Sequence, residues 1–300
     1  MLPTVSVIIP TFNRWPLVGA AIESVLAQSC AEFEIIVVDD GSTDDTAEQL
    51  GQFGSRLRLL KQPHRGVSAA RNFAVRHSRG RYLAFLDSDD LWLPKKLTVQ
   101  TAFMEQNPAV QICQTEEIWI RNGVRVNPKA KHRKPSGDIF IPSLSLCLVS
   151  PSAVMLTREL FERVGGFDEN LPVCEDYDLW LRIAVDHSVP LLGDPLVLKR
   201  GGHADQLSRS FWGMDHYRVL ALQKLLRTGL SGTRRDAVID ALRRKVGLLV
   251  RGARKRAKVR EAAAYEAILV EFTQEHHVGV GNPRLLDRER LSPSNAGTLA

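Results

Sequence analysis

Two acidic clusters in this chain could do chemistry. The first, Asp87, Ser88, Asp89 and Asp90, follows directly on the apolar run at residues 82–86. Carboxylates crowded at the mouth of a buried strand repel one another and are poorly solvated from behind, so the arrangement calls for a positive partner. A hard divalent cation suits it, because Mg²⁺-like ions accept one or two carboxylates and leave positions for phosphate oxygens. An acidic turn capping the next helix is the plainer reading of Asp-Ser-Asp-Asp by itself. The second cluster is Glu175, Asp176 and Asp178, at the start of a stretch where Leu179, Ile183 and His187 recur at helical spacing beside Trp180. Acids at a helix N-terminus are ordinary, since the dipole favours them there.

The elements that must position these clusters follow from periodicity. Apolar strands are expected at residues 5–10, 34–38, 56–60 and 82–86, and helices at 15–28, 42–53 and 67–78. Ser42 or Thr43 is expected to cap the second helix. Strands alternating with helices over short connections predict a parallel sheet with helices on its faces and right-handed crossovers. Ligands of such sheets bind at the C-terminal ends of the strands, where Asp39, Asp40 and Asp87 lie. A helix should run from Pro94 to Gln106. The rhythm then changes: a strand at 110–120, an Asn122-Gly123 turn and a returning strand at 124–126. Residues 129–134, KAKHRK, read as a mobile basic loop that is either a solvated excursion or an acceptor-side, phosphate-steering element. A helix at 158–164, the helix after Cys174 and a strand at 190–199 complete the first part. From Phe211 the chain should be helical, with breaks at 229–232 and near 247–252, ending in a frayed Gly/Pro/Ser/Asn-rich tail.

Composition narrows the class. The chain has 300 residues, 44% of them hydrophobic, and a net charge of +6. No apolar run reaches the roughly 18 residues that suggest a membrane-spanning helix. The first residues alternate like a strand and lack the basic region and cleavage site of a signal peptide, so a cytoplasmic setting is expected. Cys30, Cys113, Cys147 and Cys174 are far apart and form no CxxC, as reduced core thiols would. Residues 234–260 hold eleven Lys or Arg against two Asp, which leaves the rest of the chain slightly acidic. That basic segment has no interleaved aromatics for base stacking, so no nucleic-acid partner is expected. Leu242, Val246, Leu249 and Val250 alternate with its cations, as in a helix lying on an anionic membrane face. A helical extension packed on the main domain, with a solvated basic face, explains the same pattern.

Five segments in order, VSVIIPTFNR, IIVVDDGSTDDT, GVSAARNFA, YLAFLDSDDLW and SPSAVMLTRELFERVGGFDENLPVCEDYDLWLR, make the chain resemble glycosyltransferase family 2, the inverting nucleotide-sugar transferases of the GT-A fold. The resemblance spans about residues 5–210. It implies a GT-A catalytic domain over 1–210 and a basic helical extension over 211–300. It implies a nucleotide-sugar donor, a UDP-sugar above all, held by Pro10, Thr11, Phe12, Arg14, Asp40, Arg71, Asp87 and Ser88. Phe12 would stack on the base, Asp40 would accept from it, and Arg71 would offer its fork to a phosphate or to the acidic cluster. A Mn²⁺ or Mg²⁺ ion would be held by Asp89 and Asp87, with His203 as a further ligand, and Asp90 would be a helix cap. Asp176 would be the catalytic base, with Glu175 and Trp180 on the acceptor side. The acceptor implied is a glycan or glycolipid of bacterial surface-polysaccharide or lipopolysaccharide synthesis, with peripheral contact at the inner face of the membrane through 234–260.

Other readings fare worse. A dinucleotide oxidoreductase should carry GxGxxG after the first strand, where PTFNRW stands. A sugar-phosphate nucleotidyltransferase would need a glycine-rich basic loop near its start, which is absent. A non-catalytic GT-A-like binding protein, working through its basic helices at a membrane or nucleic acid, is the alternative from another class.

Overall fold

The computed structural model describes residues 3–30, 32–202 and 213–273. A nine-stranded sheet runs through it in the order β3-β2-β1-β4-β8-β6-β9-β5, with β7 paired to β6. Here β1 is Val5–Thr11, β2 Phe33–Asp39, β3 Arg58–Lys61 and β4 Tyr82–Phe85, and all four are parallel. They are joined by α1 (Leu17–Leu26), by the short α2 (Thr46–Gln49) with a 3-10 turn after it, and by α3 (Val67–Arg76). The chain walks from β1 outward to β3, then returns to place β4 on the other side of β1. That reversal opens a crevice beyond the carboxyl ends of β1 and β4, where ligands of open α/β sheets sit.

The second half is mixed. β5 is Leu91–Trp92, β6 Ile112–Arg121, β7 Val124–Val126, β8 Val154–Thr157 and β9 Leu191–Gly201. β8 is antiparallel to β4 and β6, β9 is parallel to β6, and β5 is antiparallel to β9. The β6–β7 hairpin turns at Asn122 (φ 49°) and Gly123 (φ 77°), the left-handed pair that a two-residue turn requires. The remaining helices are α4 (Lys96–Gln106), α5 (Phe140–Ser143), α6 (Arg158–Arg163), α7 (Glu175–Ala184), α8 (Met214–Leu226), α9 (Gly232–Lys255) and α10 (Val259–Thr273).

Period-two alternation places two apolar clusters on the two faces of the sheet. Ile8, Ile36, Val38, Leu83 and Phe85 face one cluster, shared with α3 and α7. Val7, Ile9, Ile35, Val37, Ala84 and Leu86 face the other, shared with α1 and α4. The first cluster runs on without a break into Val219, Leu222, Val238, Leu242 and Val246 of α8 and α9. The C-terminal helices therefore complete the core. Of the stripe that suited a membrane, Leu242, Val246 and Val250 are spent on this packing at 0%, 1% and 9% exposure, and Leu249 packs partly buried against the same cluster.

Three further expectations need correction. Ser42 and Thr43 do not cap a helix: Ser42 Oγ accepts from Asn13 N at 2.9 Å and Thr43 N donates to Asn13 Oδ1 at 2.8 Å, tying the loops after β1 and β2 together. The helix starts only at Thr46, because those two residues are used across the loops. The break near 247–252 is absent. Gly247 and Gly252 lie inside a continuous α9, where apolar neighbours Val246, Val250 and Ala253 are buried and outweigh the ~1 kcal/mol that glycine costs a helix. The 129–134 loop, finally, is anchored: Lys134 Nζ lies 3.0 Å from Glu117 Oε1 and 3.0 Å from the Thr115 carbonyl, with the ion pair nearly buried. The terminal tail lies outside the described residues.

One feature of this core had no sequence signal. Lys96, at the start of α4, is fully buried, donates to Gln100 Oε1 at 2.6 Å and stands 4.0 Å over the Trp92 ring. Burial lowers its pKa to about 7. In the unfolded chain a lysine titrates near 10.4, so between pH 7 and 10 the unfolded state holds the extra proton and stability rises with pH. Wild type should therefore gain on Lys96→Met by ~1 kcal/mol per pH unit from pH 7 to 9.5, and not below pH 7, in urea unfolding. A flat difference would mean that the native amine stays charged. Gly247→Ala should raise stability by about 0.5–1 kcal/mol, since the added methyl meets only the mobile end of Arg251.

Candidate functional site

The loops at the carboxyl ends of β1, β2 and β4 converge. From the first, Pro10 and Thr11 are buried strand residues, while Phe12 and Arg14 reach the rim. Phe12 is 36% exposed and stacks on His64, with ring centroids 4.0 Å apart and planes 22° from parallel. An exposed aromatic pair at this edge is a platform on which a flat base can extend the stack. Asp39 Oδ1 accepts from Ser42 N at 3.0 Å, as a structural residue would. Asp40 is buried and its two oxygens are taken by the segment leading into α3: Gln62 Nε2 at 2.6 Å and Arg65 N at 2.9 Å on one, Gly66 N at 2.8 Å and His64 Nδ1 at 2.8 Å on the other. In this arrangement Asp40 holds the His64 loop, and through it the aromatic pair.

The two acidic clusters meet through one residue. Arg71, on α3 and 3% exposed, donates from Nη2 to Asp87 Oδ1 and from Nη1 to Glu175 Oε1, each at 2.7 Å, with its guanidinium 4.9 Å over the Phe167 ring. Burial works against its charge, but Asp87 and Glu175 outweigh burial and push its pKa up. Its fork is spent on the acids, so the acidic cluster rather than a phosphate is its partner here. Glu175 is itself buried. Burial first and Asp176 second raise its pKa to about 7 against the pull of Arg71.

Asp176 differs from both. It is partly exposed, with Oδ1 accepting from Tyr177 N at 2.7 Å and Oδ2 facing the Cys147 thiol at 3.4 Å. Cys174, immediately before α7, has φ 62°, a strained value for a residue with a side chain. That turn sets the direction in which the Glu175-Asp176 pair leaves the loop. Trp180, placed on the acceptor side by its position, is instead 2% exposed and packs edge-on against Phe167, so it supports the Arg71 platform from within the core. Glu175 likewise reaches Arg71 rather than the open face.

Around Asp87 the acids divide into exposed and buried. Asp87 and Asp89 have side chains 29% and 20% exposed, and Arg14 Nη1 lies 3.9 Å from Asp89 Oδ2. Ser88 between them is partly exposed. Asp90 is not a helix cap. It is 2% exposed, accepts from Ser152 Oγ at 2.7 Å and from Arg200 N at 2.9 Å, and so fastens the acidic loop to the 3-10 turn before β8 and to β9. Burial pushes its carboxyl well above the usual range, with Lys199 opposing. Lys199, on β9, donates to Ser150 Oγ at 2.9 Å. Burial disfavours its charge, but Glu117, Asp90, Asp87 and Asp176 outweigh this and raise its pKa. Lys199 and Cys147 carry no motif, and Ser152, though inside the SPSAVML segment, was given no role by it; a lysine ending the strand at 190–199 was the only visible hint.

Among the described residues no three Asp, Glu, His or Cys side chains cluster as a ready-made metal cage. Asp87 and Asp89, partly open at the end of a strand, fit the smaller demand of an Mg²⁺-like ion, which takes one or two carboxylates and completes its shell with water and phosphate. His203 lies outside the described residues.

Removing Arg71 would leave buried Glu175 facing Asp87 and Asp176 without compensation. Arg71→Gln should cost about 3–5 kcal/mol in chemical unfolding, and Glu175→Gln on that background should recover part of it. Additive losses would mean that the bridge carries no coupling.

A family model described as "Glycosyl transferase family 2" matches residues 6–165. An uncharacterized glycosyltransferase of Rickettsia felis is 37% identical over 193 residues, which are 62% of this chain and 31% of that protein. The chain thus spans about a third of the length of the first curated relatives it matches. An Escherichia coli protein named UDP-Glc:alpha-D-GlcNAc-diphosphoundecaprenol beta-1,3-glucosyltransferase WfgD is 34% identical over 187 residues, 62% of this chain and 71% of its own length. Among solved structures, residues 1–349 of S. aureus TarS in complex with UDP-GlcNAc align with TM-score 0.72 and 20% identity over 90% of this chain and 81% of that one, a likeness of fold.

Proposed function

The chain belongs to glycosyl transferase family 2, and from that premise we propose that it is an inverting enzyme moving a sugar from a UDP-sugar to a hydroxyl of a glycan or glycolipid acceptor in bacterial surface-polysaccharide or lipopolysaccharide synthesis. Its fold is GT-A, with the switch-point crevice between β1 and β4 as the donor site. The observation that carries the proposal is the Arg71 bridge. It holds a partly exposed pair, Asp87 and Asp89, at a fixed offset from a partly exposed base, Asp176.

Each group then has one task. Phe12, stacked on His64, takes the base of the nucleotide, and Arg14 and Ser88 border the acidic loop. Asp89 and Asp87 would hold Mn²⁺ or Mg²⁺, which when bound offsets charge on the departing diphosphate. Asp176 accepts the proton of the acceptor hydroxyl as its oxygen attacks the anomeric carbon from the side opposite the leaving group, so one displacement inverts that centre. Glu175 stays on Arg71 and keeps α7 in register with the acidic loop. The name of the E. coli relative makes UDP-glucose with a diphospholipid-linked GlcNAc the donor–acceptor pair to try first. No helix among the described residues is long and apolar enough to cross a membrane. Work on a lipid-linked acceptor would then take place at the inner membrane face, by peripheral contact.

Calorimetric titration of UDP, dTDP and GDP, each with and without Mn²⁺, tests the donor side. Metal-dependent binding of UDP, lost in Asp89→Ala, is the expected result; binding of none of the three would remove the enzyme reading. On the chemical side, Asp176→Asn should lower transfer by about 10²-fold or more while UDP binding stays within error. Wild-type turnover in that variant would show that another group takes the proton.

A further inference from the structure

We propose that the cavity of about 240 Å³ between β6 and the 128–134 loop binds a diphosphate carried by the acceptor, with Lys129 and Arg133 supplying the counter-charge beside Trp119. This rests on the glycolipid-acceptor reading above and deepens it. Lys129, Lys131 and Arg133 are exposed, and none has an ion-pair partner among the described residues. Of the lining carboxylates, Glu117 is held by Lys134 at 3.0 Å, and Glu116 adds its field to the same lysine. Lys199 and Lys134 together outweigh the burial of Glu117 and hold its pKa down at about 2, so this wall stays fixed and charged. Lys134 also fastens the loop to the Thr115 carbonyl, which preorganises the free cations rather than leaving them on a tether. The His132 ring, 5.2 Å from Trp119, has its pKa lowered by partial burial and by Lys131, Arg121, Lys129 and Lys199, a sign that positive potential prevails here.

Position and charge number select the ligand. Glu117 lines the cavity and also raises Lys199, whose other partners are Asp90, Asp87 and Asp176. The cavity lies against β6 and the 128–134 loop rather than at the β1–β4 crevice that takes the donor diphosphate. Several unpaired cations beside one cavity suit a multiply charged group with many acceptor oxygens. By contrast, the cavity of about 690 Å³ lined by Arg76, Asp168, Arg182 and Lys224 has its charges neutralised from within, Lys224 by Asp168 at 2.7 Å and by Asp178 at 3.1 Å.

The experiment compares the full chain with Lys129→Ala/Arg133→Ala, two exposed loop changes that leave the Lys134 anchor in place. Acceptors are a short-chain alkyl GlcNAc diphosphate and the neutral alkyl GlcNAc glycoside, both soluble and free of membrane. The expected result is a rise of about tenfold or more in KM for the diphosphate acceptor, with KM for the UDP-sugar unchanged. An unchanged KM for the diphosphate acceptor, or an equal rise for the neutral one, would overturn the proposal. If wild type uses neither acceptor, the glycolipid reading fails separately, and titration of inorganic pyrophosphate in EDTA decides the site. Binding by wild type that the variant loses supports it; no binding, or equal binding, overturns it. Loss of flotation with phosphatidylglycerol vesicles alone, with acceptor kinetics intact, would assign the loop to lipid headgroups and overturn it as well.

Discussion

A single buried guanidinium holds the two halves of this molecule in register. Arg71 bonds Asp87, 16 residues away, and Glu175, 104 residues away. Neither acid is stable at that spot without it, because each faces further carboxylates in a poorly solvated place. The charge of Arg71 is in turn secured only by having both acids. A guanidinium and a carboxyl that would be costly to bury apart are buried together, with the partly exposed Asp87 as the third member of the bridge. The aromatic floor of Phe167 and Trp180 gives the planar fork a hydrophobic backing, which favours two directed bonds over a diffuse cloud of counter-charge.

The legibility of the sequence follows the range of the forces involved. Strands β1, β2 and β4 were visible because a short apolar run is a local pattern, and Asp87, Asp89, Glu175 and Asp176 were visible because their spacing follows a strand end or a helix start. Trp180 was misread for the converse reason: its neighbours in sequence are the acids, whereas its neighbours in space are Phe167 and the core. Asp90 and Ser42 were read as caps because capping is what such residues do locally, and both are used across the fold instead. Lys96, Lys134 and Lys199 were the least readable. Lys134 and Lys199 are defined by the distant groups that receive them, and nothing in a linear pattern says where Glu117 or Ser150 will stand; Gln100 is one helical turn from Lys96, but the pattern does not say that this turn is buried.

The sheet divides the labour. The parallel half ends its strands together, so their loops meet, and those after β1 and β2 are cross-tied by Asn13, Ser42 and Thr43 into one lip. The mixed half offers longer, irregular connections, and there lysines join main-chain bonds in fixing the loops: Lys134 under the basic loop, Lys199 beside the acids. Changing a loop in that second half leaves the lip at β1 and β2 untouched.

The packing of α9 sets how this protein can meet a lipid surface. Its apolar stripe is inside, and what faces outward is Arg243, Arg244, Arg251 and Lys255 around a lone exposed Leu248. Attraction of such a face to anionic lipid is coulombic, carries almost no hydrophobic anchor, and decays over a Debye length of about 8 Å at physiological ionic strength. Any contact through this helix would therefore be a reversible residence governed by ionic strength and leaflet charge.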